Sequence, residues 1–244
     1  MTNVQPSLLA AFLAGLKEIK LGGLRRSTVT EIQKIQIFSK LEETNMLRIL
    51  YWPENFVCIS PTTLANVLSR LDAADLSYCS LDISDEQKEA FFTALANKEG
   101  STKFINFDST RLSSVDPITL ARGLLKVETL DLQYTYLTQQ QVTEFFKLLG
   151  AGASKLKKLE MSWEGSNLEI VDEEILATGV NRLEYAEFCS SRLTFPQLYA
   201  ILKAVDERSN LTELNLRGNK RGIRGDTDLS QLHVRACKYC KVLI

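Results

Sequence analysis

The chain of 244 residues has little of the chemistry on which enzymes and metal sites depend. It contains one histidine, His233, and no glycine-rich segment resembling a phosphate-binding loop. Any catalytic set that needs an imidazole would therefore use His233. His233, Cys237 and Cys240 have a spacing that offers three zinc ligands, but a fourth ligand is missing. We expect a protein that is not an enzyme and that holds no metal or other cofactor.

An excess of charge of one sign is also lacking. The 29 basic and 30 acidic residues give a net charge of -1, which provides no global attraction to nucleic acid or to an anionic membrane. No apolar run approaches the roughly 18 to 20 residues that cross a bilayer. Five prolines and twelve glycines argue against long disordered linkers. The composition predicts a chain that folds throughout and binds neither nucleic acid nor membrane, and we expect a monomer.

What the sequence does contain is a repeated apolar pattern. Nine times an apolar residue is followed by a second three positions later and a third two positions after that, with Thr102 as the one polar substitute. The ninth copy is Leu229-Leu232-Val234, and its short spacing from the eighth predicts a truncated last unit. The copies begin at Leu16, Met46, Leu71, Thr102, Val127, Leu156, Leu183, Leu211 and Leu229.

Several copies add a small or polar residue three positions after the third apolar one, namely Cys79, Thr110, Thr135, Ser191, Asn219 and Cys237. The whole pattern resembles the leucine-rich repeats of the ribonuclease-inhibitor type, including those of nucleotide-binding immune receptors. The resemblance implies an α/β solenoid shaped as a horseshoe arc, with a parallel sheet on its concave face and helices on its convex face. We expect one domain with an N-terminal cap (1–15), eight units (16–228) and a C-terminal cap strand (229–244).

The helices of the convex layer have sequence signals of their own. A hydroxyl three residues before glutamine, in Ser84 to Gln87 and Thr138 to Gln141, predicts capping boxes. In the first unit, Leu16-Ile19-Leu21 competes with 32–37 for the strand, and Thr28 or Thr30 as a cap favours a helix over 32–37. The apolar run 8–16 lacks preceding basic residues, which favours a capping helix over a signal peptide.

The number of cysteines bears on the compartment. Five is an odd number, and they lack the paired flanking spacing that caps many secreted leucine-rich-repeat proteins. Free thiols in a reducing compartment are the simpler interpretation, and they predict a cytoplasmic protein.

Side chains alternate between the two faces of a strand, so the residue between the second and third apolar positions points outward. These residues are therefore expected to form the surface of the concave face. In the middle of the arc this column and the next are acidic, with aromatic residues beside them. The pattern predicts that a basic segment of a protein partner docks there, while the competing interpretation is that outward positions are acidic by chance. The candidate residues are Asp75, Asp108, Asp131, Glu160, Glu187, Trp52, Tyr78, Tyr134, Trp163 and Tyr185.

Three functions remain open at this stage. A cytoplasmic recognition module acting as an adaptor, decoy or inhibitor, with a role in innate immunity, follows from the family resemblance. A substrate-recognition adaptor of a ubiquitin ligase and a secreted protein that recognises pathogens or glycans are the alternatives. At the C-terminal end, the basic residues are expected to form a solvated cap; they are Arg217, Lys220, Arg221, Arg224, His233, Arg235, Lys238 and Lys241.

Overall fold

A computed structural model shows an α/β leucine-rich-repeat solenoid. The structure describes residues 4–20, 29–52, 56–76, 83–152, 154–162, 168–219 and 227–244. Within these ranges nine parallel strands lie side by side in chain order, and each connection between neighbouring strands contains a helix. One side of the sheet is covered by the helices, and we call the other side the open face.

The strands are β1 (Glu18–Lys20), β2 (Ile49–Tyr51), β3 (Ala73–Asp75), β4 (Thr102–Asn106), β5 (Val127–Asp131), β6 (Lys158–Glu160), β7 (Tyr185–Glu187), β8 (Glu213–Asn215) and β9 (Lys241–Leu243). The helices are α1 (Pro6–Ala14), α2 (Glu31–Thr44), α3 (Pro61–Leu68), α4 (Asp85–Ala96), α5 (Pro117–Leu124), α6 (Gln139–Gly150), α7 (Glu173–Val180), α8 (Phe195–Ala204) and α9 (Thr227–Ala236). None of the helices in the described ranges has both the length and the apolar character that crossing a bilayer requires.

The strand register confirms the predicted repeat over most of the chain. The second-to-last residue of every strand lies beside the second-to-last residue of the next and is buried, because it points toward the helices. This inward column is Ile19, Leu50, Ala74, Ile105, Leu130, Leu159, Ala186, Leu214 and Val242. Helix α1 over the N-terminal apolar run and helix α2 with Thr30 as its cap are also confirmed.

In the second unit the predicted alignment is wrong by one residue. The buried positions are Leu47, Leu50 and Trp52, whereas Met46 is exposed. A shift of one residue reverses which face each side chain occupies, so Tyr51 points outward and Trp52 points into the core. The prediction of Trp52 as a surface residue is therefore wrong: its ring packs edge-on against Phe38 at a centroid distance of 5.5 Å.

The ninth predicted strand is also wrong. Residues 229–234 lie within helix α9, and the last strand is β9, which follows after a full-length unit. Leu229, Leu232 and Ala236 recur at helical spacing, and the first step of three residues fits a helix as well as it fits the repeat. Cys237 accordingly lies exposed at the end of α9 instead of at a buried step of the repeat. The other described step residues, Thr110, Thr135, Ser191 and Asn219, are buried and bond to loop carbonyls as expected.

Two kinds of unit alternate along the solenoid, which the sequence pattern did not predict. Helices α3, α5 and α7 have 8 residues each, and the intervening α4 and α6 have 12 each. The helices α2, α4, α6 and α8 each begin with a capping box whose glutamine is buried, at positions 33, 87, 141 and 197. From α4 onward, each of these glutamines also donates to two carbonyls in the turn before the preceding short helix. A short and a long unit thus form a pair.

Neighbouring pairs approach most closely at glycines of the short helices. A Cβ placed on Gly179 of α7 would lie 2.8 Å from Cδ1 and 3.1 Å from the carbonyl oxygen of Phe146 on α6. Gly123 of α5 lies equally close to Phe92 of α4, with 3.0 Å and 3.1 Å to the same atoms. Glycine at these positions lets the short helix rest directly against the backbone of the long one.

We expect Gly179→Ala to lower the free energy of unfolding by about 1 to 3 kcal/mol, because the added methyl group overpacks a contact that includes backbone. Chemical denaturation followed by circular dichroism measures the change. Gly15→Ala is the matched control, since its Cβ would meet the nearest atom, the Phe12 carbonyl oxygen, at 3.6 Å. An unchanged midpoint in the Gly179 variant would contradict the packing described above.

Candidate binding face of the sheet

The open face of the sheet presents two aligned columns of outward side chains. On each central strand the residue just before the inward one forms one column, which runs through Phe104, Thr129, Lys158 and Tyr185. The residue just after the inward one, which is the last of its strand, forms the other, which runs through Asp75, Asn106, Asp131, Glu160, Glu187 and Asn215. These side chains are half-buried, except for exposed Lys158.

The five carboxylates that the sequence predicts on the concave face lie in or next to the acidic column of the open face. Asp131, Glu160 and Glu187 lie in register on the adjacent strands β5, β6 and β7, whose spacing is about 4.8 Å. Asp75 occupies the same column on β3, separated from Asp131 by Asn106 of β4. Asp108 lies two residues beyond Asn106, just past the end of β4. We call Asp75, Asp108, Asp131, Glu160 and Glu187 the acidic strip.

Neutral donors hold the central carboxylates in place. Asp131 accepts a hydrogen bond of 3.0 Å from the backbone N–H of Gln133, and the Gln133 amide donates to Glu160 at 3.3 Å. Asn106 and Asn215 accept from the N–H two residues later in the same way, which shows that an amide serves this turn as well as a carboxylate does. The charge of Asp131 is therefore not required by the local backbone.

At β7 a tyrosine and a glutamate form one polar group. The Tyr185 hydroxyl donates to Glu187 Oε2 at 2.6 Å, and Ser162 Oγ donates to Glu187 Oε1 at 3.2 Å. Burial, together with this hydrogen bond to a carboxylate, raises the pKa of Tyr185, so the phenol stays protonated. Its ring is fixed at the edge of the acidic strip.

The accumulated negative charge changes the acidity of the strip itself. Burial raises the pKa of Asp131, and the charges of Asp108, Asp75 and Glu187 raise it further. Burial also raises the pKa of Glu160, with the charges of Asp131 and Glu187 adding to the effect. Asp131 and Glu160 are half-buried in the open face and are not fully exposed to water. The charged form of both carboxylates is therefore disfavoured, and a nearby cation would stabilise it.

Among the described residues no cation pairs with the centre of the acidic strip. Asp131, Glu160 and Glu187 form no ion pair there, whereas two acidic residues of the helical layer do: Lys88 pairs with Asp85 at 3.1 Å and Lys147 with Glu144 at 3.3 Å. The nearest outward lysine along β6 is Lys158, one residue before Leu159 in the other column. The three in-register carboxylates at the centre of the acidic strip thus carry charge that no described side chain of the chain compensates.

The predicted aromatic residues are brought together only in part. Tyr185 borders the acidic strip, and Tyr134 lies exposed just after β5 in a left-handed turn with φ 52°. Tyr78 and Trp163 lie outside the described residues, and Trp52 lies in the core. The sequence analysis missed Tyr51, because of the shifted second unit, and Tyr136, which is 52% exposed and has the Arg111 guanidinium 5.8 Å from its ring centre.

Of the basic C-terminal residues, Lys241 of β9 reaches the open face, where it lies in register with Glu213 of β8, whereas the cysteine-histidine group lies at the end of helix α9. Arg235 lies on α9 and donates to the carbonyl of Lys203 at 2.6 Å, while Lys241 pairs with Glu213 at 3.0 Å. Lys220, Arg221 and Arg224 lie outside the described residues. Cys237 Sγ is 3.4 Å from His233 Nε2, but in the described ranges no three His, Cys, Asp or Glu residues are grouped so as to hold a metal ion. Burial, followed by the nearby Cys237, raises the pKa of the Cys240 thiol to about 11.

Comparisons with known proteins add little to this geometry. No protein-family model matches the chain, and the search of curated proteins finds no match either. Among solved structures the chain is similar to one described as the complex of Rad7 and Elc1 in yeast, with 16% identity and a TM-score of 0.31. The similarity covers 98% of this chain and 78% of that one. The assignment to the leucine-rich-repeat fold therefore rests on the strand order, the register and the repeated side-chain positions of the chain itself.

Proposed function

We propose that the protein is a non-catalytic recognition module of the ribonuclease-inhibitor type, and that its open sheet face binds a basic segment of another protein. The observation that carries this proposal is the set of three in-register carboxylates, Asp131, Glu160 and Glu187, which are half-buried and have no cation among the described residues. Such a set disfavours its own ionisation and favours a partner that brings positive charge.

The raised pKa values of the two central carboxyl groups imply a gain in free energy when a cation binds. A bound lysine or arginine stabilises the charged form of both Asp131 and Glu160, which the empty face destabilises. The gain appears only when the partner is present, so it contributes to affinity instead of to folding. Electrostatic complementarity of this kind also speeds encounter and rejects acidic competitors.

The flanking column indicates the form of the bound segment. Phe104 and Tyr185 lie in the same outward column as Lys158, and this column is two residues before the acidic column along each strand. A guanidinium or ammonium group above the strip lies within reach of a ring face, and such contacts add about 0.5 to 2 kcal/mol. Lys158 repels a cation from the column in which it lies. The arrangement therefore favours a segment that runs across the strands, with its basic residues over the column of Asp131, Glu160 and Glu187.

A non-catalytic role fits the position of the imidazole. His233 lies on α9, in the helical layer, so it is not positioned to act with the carboxylates of the open face. The carboxylates themselves share one environment, and their pKa values shift in the same direction. A general acid and a general base would need environments that separate their pKa values.

The test compares partner capture by the native chain and by the double variant Asp131→Lys/Glu160→Lys. We expect the reversed face to lose the partner, with affinity reduced at least a hundredfold, since juxtaposed like charges cost several kcal/mol. The partner is captured from extracts of the native cell, and its dissociation constant is then measured with purified components at low and physiological salt.

The control is Glu99→Lys/Glu207→Lys, which makes the same change in net charge at two exposed turn residues. A heptalysine and a heptaglutamate peptide serve as defined probes in parallel titrations. Equal binding of heptalysine to the native protein and the reversed variant would reject the acidic strip as the binding face. Equal loss in the control would show that net charge alone controls binding.

A further inference from the structure

The first strand leaves one edge of the sheet unpaired among the described residues. β1 is the terminal strand of the sheet, and the Lys17 carbonyl accepts hydrogen bonds from Arg48 and Ile49 on the side of β2. Backbone groups of successive residues in a strand point to opposite edges. The N–H and C=O groups of Glu18 and Lys20 therefore point away from β2, toward the free edge.

Helix α1, which covers this end of the solenoid, has an apolar outer side. It packs on α2 through Leu9 and Leu13, while Leu8 is 63% and Phe12 is 68% exposed. Leu8 and Phe12 are four residues apart and lie on one side of the helix. The helix contains no charged residue. The terminal unit of a repeat protein normally has a polar outer face. The apolar outer side of α1 departs from that rule and favours contact with another apolar surface.

The sequence of β1 is complementary to itself when two copies run in opposite directions. In an antiparallel pair centred on Ile19, Glu18 of one copy lies opposite Lys20 of the other, and the reverse holds on the other side of the twofold axis. Both side chains are exposed and already pair with each other within one strand. The free backbone groups of Glu18 and Lys20 are the ones that such a pairing uses.

We propose that the N-terminal end of the solenoid is an interface between two copies of this chain. Antiparallel pairing of the two β1 strands joins the sheets, and the same twofold axis brings the α1 helices together so that Leu8 and Phe12 are covered. This differs from the monomer expected at the outset, and it is independent of the binding face, which lies on the central strands. The paired arc would present two acidic strips.

Head-to-tail stacking of β1 on β9 fits less well. It would place the apolar side of α1 against α9, whose exposed positions include Asp228 and Arg235. It would also repeat without closing and produce filaments. The twofold arrangement matches apolar with apolar and acid with base, and it closes after two copies.

Sedimentation equilibrium of the full chain between about 1 and 200 µM tests the proposal. The contact involves one short helix and one short strand per copy, so we expect a dimer with a dissociation constant in the micromolar range. Leu8→Glu/Phe12→Glu is expected to weaken it at least tenfold. Ile118→Glu, at a 46% exposed position on α5, is the matched control and should leave the dimer unchanged.

The charge pattern gives a second and sharper measurement. Glu18→Lys alone places lysine against lysine, and Lys20→Glu alone places glutamate against glutamate, so each variant should be monomeric. An equimolar mixture of the two variants should form a mixed dimer, because every opposed pair then has opposite charges. A native chain that stays monomeric at 200 µM, a mixture that fails to associate, or growth beyond the dimer mass would each overturn the proposal.

Discussion

Replacing Gln141 by methionine is expected to lower the free energy of unfolding by about 4 kcal/mol. The Gln141 amide nitrogen donates to the carbonyls of Leu112 and Val115 at 2.9 and 2.7 Å, and its oxygen accepts from the N–H of Thr138 at 2.8 Å. Methionine has a similar shape but satisfies none of the three buried groups. Each orphaned backbone group costs about 1 to 3 kcal/mol, and partial relaxation reduces the sum.

Denaturant titration of Gln141→Met against Gln140→Met provides the measurement. Gln140 lies on the same helix but is exposed, so its replacement should change stability by less than about 0.5 kcal/mol. Amide hydrogen exchange should also increase in the turn 112–115, which loses its two hydrogen bonds to the Gln141 side chain. Equal stability of the two variants would mean that the buried amide is not what joins the paired units.

Neutralising the centre of the acidic strip should have two opposite effects. We expect Asp131→Asn/Glu160→Gln to raise the free energy of unfolding at neutral pH by about 1 kcal/mol, because like charges about 5 Å apart are removed. For a chain of this length the midpoint of thermal unfolding should rise by about 2 to 4 °C. The same variant should bind the basic partner at least tenfold more weakly, since the partner loses its counter-charges.

The pH dependence distinguishes this explanation from a packing effect. The folded-state pKa values of Asp131 and Glu160 lie above their ordinary values near 4, so the folded chain holds these protons more tightly than the unfolded chain. The stability that they contribute is complete below about pH 4 and is lost as the pH rises through the folded-state pKa values. The advantage of the variant should therefore be greatest at pH 7 and vanish near pH 4. An advantage that persists at pH 4 would assign it to packing.

Much of the fold could be predicted from the sequence because the solenoid repeats one local rule. Ile105, Leu130 and Leu159 each satisfy the same apolar spacing, and each unit contacts mainly its neighbours. The capping glutamine of α6 could be predicted as well, since its hydroxyl partner lies three residues away. Its two carbonyl partners could not, because they belong to the preceding unit and no local spacing encodes them.

The errors arose where the pattern was ambiguous by itself. Met46 and Leu47 are adjacent apolar residues, and only the strand register shows that Leu47 is buried, which in turn places Trp52 in the core. The step from Leu229 to Leu232 fits both a helix and the repeat. From β3 to β8 the outward column could be predicted residue by residue, but the half-burial of Asp131 and Glu160 depends on neighbouring strands that lie about 30 residues away in sequence.

The alternation of short and long helices has a consequence for how such a chain can lengthen or shrink. Removing one short unit would set two long helices side by side, without a glycine such as Gly123 or Gly179 next to the Phe92 or Phe146 backbone. Removing two consecutive units, about 55 residues, keeps the alternation, because a short helix still packs against a long helix at the junction. Duplications and deletions that leave a foldable product should therefore come in multiples of that doubled module, and engineered arcs of different curvature or reach can be assembled from it.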